Sequence, residues 1–189
     1  MSGSVPPEGR RSSFLVRLVA TGVYSGYAPW ASGTFGSLAG LLLFLLPWAW
    51  NPAVLLPLIV VAFCAGVYTA GRVALDEGHR LTRSAAAAKA LFQPGEPVHA
   101  DPSIVVIDEI VGMWIALAWI PPGAAAVIAS FVFFRLFDIL KPEPARSLER
   151  IGGGWGIMLD DVVAGIYANA CTRCILFLIP LFTRGGVPG

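Results

Sequence analysis

Long apolar runs broken by short polar clusters divide the chain into five candidate helices, at about 35–50, 53–74, 104–120, 124–140 and 161–182. A helix needs about 20 residues to cross a bilayer, within a range of about 17–25. On that scale 35–50, 104–120 and 124–140 are marginal, which implies tilt, local thinning of the bilayer or partial insertion. Trp48-Ala49-Trp50-Asn51-Pro52 and Trp119-Ile120-Pro121-Pro122-Gly123 read as turns that set tryptophan at headgroup level. The pattern predicts an all-α, polytopic membrane bundle of four to five apolar helices, one domain over 14–182. Residues 1–13, polar and carrying Pro6 and Pro7, read as a disordered tail, and 183–189 as a flexible one.

Composition supports this picture. The chain is 56% hydrophobic and 13% charged, with a mean hydropathy of +0.72. A soluble domain of 189 residues could not easily hide so much apolar surface. Phe14 to Ala20 is too short and interrupted for the core of a secretory signal. No basic run argues for nucleic acid. Cys171 and Cys174 lie within an apolar run without a second ligand pair and read as small buried helix residues. His79 and His99 lack metal-ligand spacing, and Ala85–Ala88 with Ala90 and Leu91 suggest a short helix in a long loop.

Charge distribution sets the expected orientation. With a cytoplasmic N-terminus, the inner segments carry Arg10, Arg11, Arg17, Arg72, Arg80, Arg83, Lys89, Arg135, Lys141, Arg146 and Arg150, eleven of the thirteen basic residues. Positive residues favour the cytoplasmic side. The same topology puts four polar clusters from four helices at one membrane face.

Those clusters carry the candidate chemistry. Ser32-Gly33-Thr34-Phe35-Gly36-Ser37 opens the first apolar helix. Thr34 or Ser37 can cap it, the free N–H groups and Gly36 can receive an anion, and Gly36 with Gly40 equally fits helix packing. Asp108-Glu109 begins the third helix; one acid can ligate a metal while the other orients water. Arg135, Asp138 and Lys141 follow at i, i+3 and i+6, so they share one helical face. That order suits a phosphate held by Arg135 and Lys141 with Asp138 turned to a metal, and it also suits a salt-bridge ladder. Asp160-Asp161 stands at the mouth of the last helix after a glycine run that can fold over a ligand. An ionised carboxylate in an apolar setting costs several kcal/mol unless a cation, partner or water meets it. Five such acids, Asp108, Glu109, Asp138, Asp160 and Asp161, therefore suggest one solvated, cation-holding site. Hard oxygen donors without Cys or His favour Mg²⁺.

These motifs resemble the phosphatidylglycerophosphatase A family, membrane phosphatases of bacterial phospholipid synthesis. The resemblance spans about 21–177. It rests on Gly33-Thr34-x-Gly36-Ser37, on Asp108-Glu109-x-x-Gly112, on Phe134-Arg135-x-Phe137-Asp138-x-x-Lys141-Pro142-x-Pro144, and on Gly154-x-Gly156-Ile157-Met158-x-Asp160-Asp161-x-x-Ala164-Gly165. Ser32 stands where the family usually has proline, and about 84–100 reads as an insert. The resemblance implies a Mg²⁺-dependent phosphatase of the bacterial cytoplasmic membrane, multi-pass, with its site facing the cytoplasm. Its substrate would be phosphatidylglycerophosphate and its product phosphatidylglycerol. Asp108, Glu109, Asp160 and Asp161 would hold metal; Thr34, Gly36, Ser37, Arg135 and Lys141 would bind phosphate. Attack by water and an aspartyl-phosphate route both remain open, as does a homo-oligomer. Two rivals differ in class. A CDP-alcohol phosphotransferase would carry a D-x-x-D-G-x-x-A-R run, which is absent here. A transporter or proton relay would spread its acids through membrane depth.

Overall fold

The computed structural model describes residues 12–27, 32–92 and 104–184, and among them it contains seven α-helices and no strand. In chain order these are α1 (Phe14–Ala20), α2 (Ser32–Phe44), α3 (Pro52–Phe92), α4 (Ile107–Leu117), α5 (Ala124–Leu140), α6 (Ala145–Glu149) and α7 (Gly153–Arg184). Short 3-10 turns fill Ser25–Tyr27 and Pro47–Trp50. The all-helical class is as expected. Residues 1–11 of the expected N-terminal tail, residues 185–189 of the C-terminal one and His99 lie outside the described residues.

Among the described residues, two segments are long and apolar enough to cross a membrane, Pro52–Asp76 of α3 and Gly153–Leu178 of α7. Of the four to five expected spans, length and composition support these two. The first apolar run ends as a helix at Phe44 because Pro47 interrupts it, and α4 extends only from Ile107 to Leu117. Elsewhere helices are longer than the apolar pattern. α3 runs unbroken past Ala74 through the alanine-rich stretch, whose residues are strong helix formers with no proline before Pro94. α7 begins eight residues earlier than expected, so Gly153, Gly154 and Gly156 form its first turns and not a loop over a ligand. Gly154 lies directly on the carbonyl of Val67 in α3, where any side chain would collide with backbone. Tertiary contact here outweighs the low helix propensity of glycine.

α4 is the central element, packed against α2, α3, α5 and α7. Its Val111, Met113, Ala116 and Leu117 are fully buried, and the Trp114 indole donates to the carbonyl of Gly40 at 3.0 Å. At a rise of about 1.5 Å per residue such a short helix ends inside the bundle, leaving terminal carbonyls without helical partners. α7 supplies them. The Asn169 amide lies 3.2, 3.0 and 2.8 Å from the carbonyls of Ile115, Ala116 and Ala118, and Arg173 adds a bond of 3.0 Å to Ala118. Ser130 of α5 and Thr172 of α7 share a buried hydrogen bond of 3.2 Å.

Glycines let α4 and α7 touch backbone to backbone. A Cβ at Gly112 would stand 2.6 Å from the Phe134 ring and 2.8 Å from the carbonyl of Asp161. One at Gly165 would overlap the carbonyl of Gly112 and lie 3.1 Å from Ile115 Cβ. Gly165→Ala is therefore expected to destabilise the bundle by about 1–3 kcal/mol. Thermal unfolding in detergent measures this, against Gly123→Ala as control, since nothing lies within 4 Å of a Cβ there. Equal midpoints for the two variants would refute the close contact.

Candidate active site

The polar clusters meet at one end of the bundle. α4 brings Asp108 and Glu109 in its first turn, where acids are favoured by the helix dipole. α7 brings Asp161 two turns from its start. One carboxylate oxygen each from Asp108, Glu109 and Asp161 lies within 4.8 Å of the others. Asp161 is buried, at 3% exposure, while Asp108 and Glu109 are half-buried. Asp108 Oδ1 and Glu109 Oε2 are inaccessible to solvent and have no hydrogen-bond donor. Buried polar atoms are nearly always satisfied, so two orphaned acceptors in one cluster fit a site that could hold a cation. The donor set is all oxygen and hard, the kind that holds Mg²⁺.

Arg135 flanks this cluster on α5. Its Nη1 donates to Asp138 Oδ2 at 2.6 Å and to Ser37 Oγ at 3.2 Å. Ser37 in turn donates to the carbonyl of Gly33 at 2.8 Å, a bond within α2. Because α2 starts at Ser32, Thr34, Gly36 and Ser37 lie inside its first two turns, and Ser37 makes this backbone bond in place of the expected cap. The glycines of the motif admit the acids: a Cβ at Gly33 would lie 2.5 Å from Glu109 Oε1 and 3.2 Å from Arg135 Nη1, and one at Gly36 would lie 3.3 Å from Glu109 Oε2. Asp138 also faces Asp161.

Lys141 departs from the helical face expected of it. α5 ends at Leu140, Lys141 takes the left-handed conformation with φ 45°, and Pro142 prevents continuation. The side chain crosses to α7, where Nζ donates to Asp160 Oδ2 at 2.8 Å and to Glu149 Oε1 of α6 at 2.9 Å. Partial burial disfavours the ammonium, but the bonds to Asp160 and Glu149 outweigh it and hold Lys141 above its ordinary range. Asp160 thus serves Lys141, and its Oδ1 accepts from the Asp161 amide at 3.0 Å, while Asp161 belongs to the carboxylate cluster.

The structure brings together Asp108, Glu109, Asp138, Asp160, Asp161, Arg135, Ser37 and Lys141, with Gly36 against Glu109. Thr34 is half-buried on the same turns of α2. Glu149 was missed by sequence reasoning. It lies in a short surface helix without an apolar run or motif; its signal was only its charge, eight residues after Lys141. The segment leading into α6 is tied down by Tyr167, whose hydroxyl donates to the carbonyl of Glu143 at 2.8 Å.

Comparison with known proteins places the chain in a family. The chain matches the family described as Phosphatidylglycerophosphatase A over residues 18–80 and 85–176. It is 37% identical over 155 residues to phosphatidylglycerophosphatase A of Escherichia coli strain K12, covering 79% of this chain and 76% of that protein. It is also 37% identical over 156 residues to phosphatidylglycerophosphatase A of Haemophilus influenzae, covering 81% and 83%. A Bacteroides thetaiotaomicron protein, provisionally named a phosphatidylinositol-3-phosphatase, is 37% identical over 170 residues, covering 84% and 92%. No solved structure matches the chain. With all four motifs inside the matched residues, the chain belongs to the phosphatidylglycerophosphatase A family of phosphatases.

Proposed function

We propose that this chain removes the terminal phosphate of phosphatidylglycerophosphate, giving phosphatidylglycerol and inorganic phosphate, with Mg²⁺ held by Asp108, Glu109 and Asp161. The observation that carries the reading is the cluster of three carboxylates with two buried, unpartnered oxygens beside an arginine. An ion bound there would polarise the phosphoryl oxygens and lower the pKa of a bound water.

The protein's own groups bind and orient the ester. Arg135 uses Nη1 on Asp138 and Ser37, and its planar fork leaves further N–H groups for phosphate oxygens. Asp138 and Ser37 fix that fork, which places the phosphorus near the acids without loss of side-chain freedom on binding. Lys141 contributes a second positive charge from the α7 side. Gly33 and Gly36 keep α2 thin enough for the Glu109 carboxylate to sit against it, with the Arg135 guanidinium beside Gly33. In hydrolysis a water oxygen bonds to phosphorus, the bond from phosphorus to the glycerol oxygen breaks, and that oxygen leaves protonated.

The membrane reading follows the charges. We infer a multi-pass protein of the bacterial cytoplasmic membrane, anchored by Pro52–Asp76 and Gly153–Leu178, with the site on the cytoplasmic side. A relay or transporter is disfavoured because the acids gather at one end of the bundle.

Purified protein in detergent should release phosphate from phosphatidylglycerophosphate with Mg²⁺ and stop with EDTA, while Asp161→Asn should lower kcat/KM by about a hundredfold or more. Release unaffected by both would sink the proposal; faster release from phosphatidylinositol 3-phosphate would move the substrate to that lipid. Arg135→Lys keeps the charge but loses the fork, so KM should rise about tenfold. In a variant lacking Cys64, Cys171 and Cys174, a thiol at Ser147→Cys should label from the cytoplasm and one at Asn51→Cys from the opposite side; labelling of both from one side would refute the topology.

A further inference from the structure

Lys141 has two carboxylate partners, and they differ in kind. Asp160 is 8% exposed, sits on a long helix and is further bonded to the Asp161 amide. Glu149 is 43% exposed, ends the five-residue helix α6, and reaches Lys141 through Oε1. Asp160 is thus a fixed partner and Glu149 an exchangeable one. The Lys141 side chain is 26% exposed, and Glu149 is the more exposed of its two partners, so an incoming anion would compete with Glu149 for it.

We propose that Glu149 stands in for the substrate's phosphate on Lys141 and so sets specificity for phosphomonoesters over phosphodiesters. This rests on the reading of Lys141 as a phosphate ligand.

The argument is one of competing charges. Glu149 carries one negative charge and is tethered, so its effective concentration at Lys141 is high. A phosphodiester headgroup also carries one charge and gains nothing by displacing it. A phosphomonoester carries about 1.5–2 charges at neutral pH and three acceptor oxygens, so it wins the exchange. Specificity is a difference of affinities, and a repulsive or competing element against the wrong partner supplies it as well as a contact to the right one. The need is acute at a membrane surface, where phosphodiester lipids surround the site and their headgroups resemble the substrate apart from the terminal phosphate. Hydrogen bonding to Glu149 also keeps the ammonium from lying half-buried with only one partner between turnovers.

The test uses mixed micelles at a fixed surface fraction of phosphatidylglycerophosphate, diluted with neutral detergent or with phosphatidylmethanol, a monoanionic phosphodiester lipid that is not the product. The wild type should respond alike to both diluents. Glu149→Ala should lose about fivefold in rate when phosphatidylmethanol replaces detergent, with inorganic phosphate inhibiting about fivefold more strongly. Glu149→Asp should restore discrimination, and the isosteric Glu149→Gln should repeat the alanine result should the smaller side chain disturb α6. Unchanged sensitivity to phosphatidylmethanol in both Glu149→Ala and Glu149→Gln would overturn the inference. A raised KM in neutral micelles would overturn it too, since Glu149 would then be a support for Lys141. Lys141→Met separates the two levels: an unaltered KM refutes Lys141 as a phosphate ligand, whereas a raised KM with no effect at Glu149 refutes only the exchange.

Discussion

Everything in this fold depends on bringing like charges together inside an apolar bundle. Asp108, Glu109 and Asp161 come from two helices, and their oxygens gather within 4.8 Å. Such a cluster is disfavoured by repulsion and by loss of hydration. It persists because α4 and α7 have no freedom to part. Gly112 and Gly165 remove the side chains that would separate them, and the Asp161 carbonyl lies 2.8 Å from where a Cβ of residue 112 would stand. Helices that lack a strong hydrophobic drive to associate within lipid use this kind of close, small-residue contact. The charge problem is then contained by cations at the flanks, Arg135 through Asp138 and Lys141 through Asp160.

The shortness of α4 connects fold and site. Both of its ends lie among other helices, and each end is a polar problem. The N-terminal end has free N–H groups and a positive dipole, which favours Asp108 and Glu109. At the C-terminal end the Ile115 carbonyl accepts from the Ala118 amide, and Asn169 with Arg173 reach the carbonyls of residues 115, 116 and 118. Arg173 also donates to Asn169 Oδ1 at 2.7 Å, which fixes the amide's orientation. α7 therefore grips α4 at both ends, through acids and glycines at one and through Asn169 at the other. A shift of α4 along α7 would break the polar contacts at its C-terminus and disperse the carboxylates together.

Local signals in the sequence carried the parts that depend on local geometry. Asp108-Glu109 begins a helix as its setting before an apolar run implied, and Arg135 and Asp138 pair at i, i+3 as their spacing required. The convergence of the four clusters followed from helix direction and basic flanks. What was not legible depends on contacts distant in sequence. The glycines before Asp160 have poor helix propensity and read as a loop, yet Gly154 is held in α7 by α3 and Gly156 by the carbonyls of residues 148 and 149. Lys141 shares a helical face with Arg135 only if α5 continues, and the left-handed turn at that residue sends it elsewhere. Glu149 could not be read at all, because its role exists only through Lys141. Apolar length alone does not separate spans from core helices, since a helix such as α4 is hydrophobic because protein surrounds it.

Charge balance gives the arrangement its chemical meaning. Six carboxylates, Asp108, Glu109, Asp138, Glu149, Asp160 and Asp161, face two cations, Arg135 and Lys141. An anionic lipid phosphate would be repelled by such a surplus. Mg²⁺ held as proposed would convert the cluster of three from a source of repulsion into a binding element, so that anion binding and metal binding would become one event. It also explains why each cation is already engaged by a carboxylate. An arginine or lysine left unpaired beside these acids would fold over them and cap the orphaned oxygens of Asp108 and Glu109. Pairing Arg135 with Asp138, and Lys141 with Asp160 and Glu149, holds both cations away from those oxygens, which stay buried and without a hydrogen-bond partner.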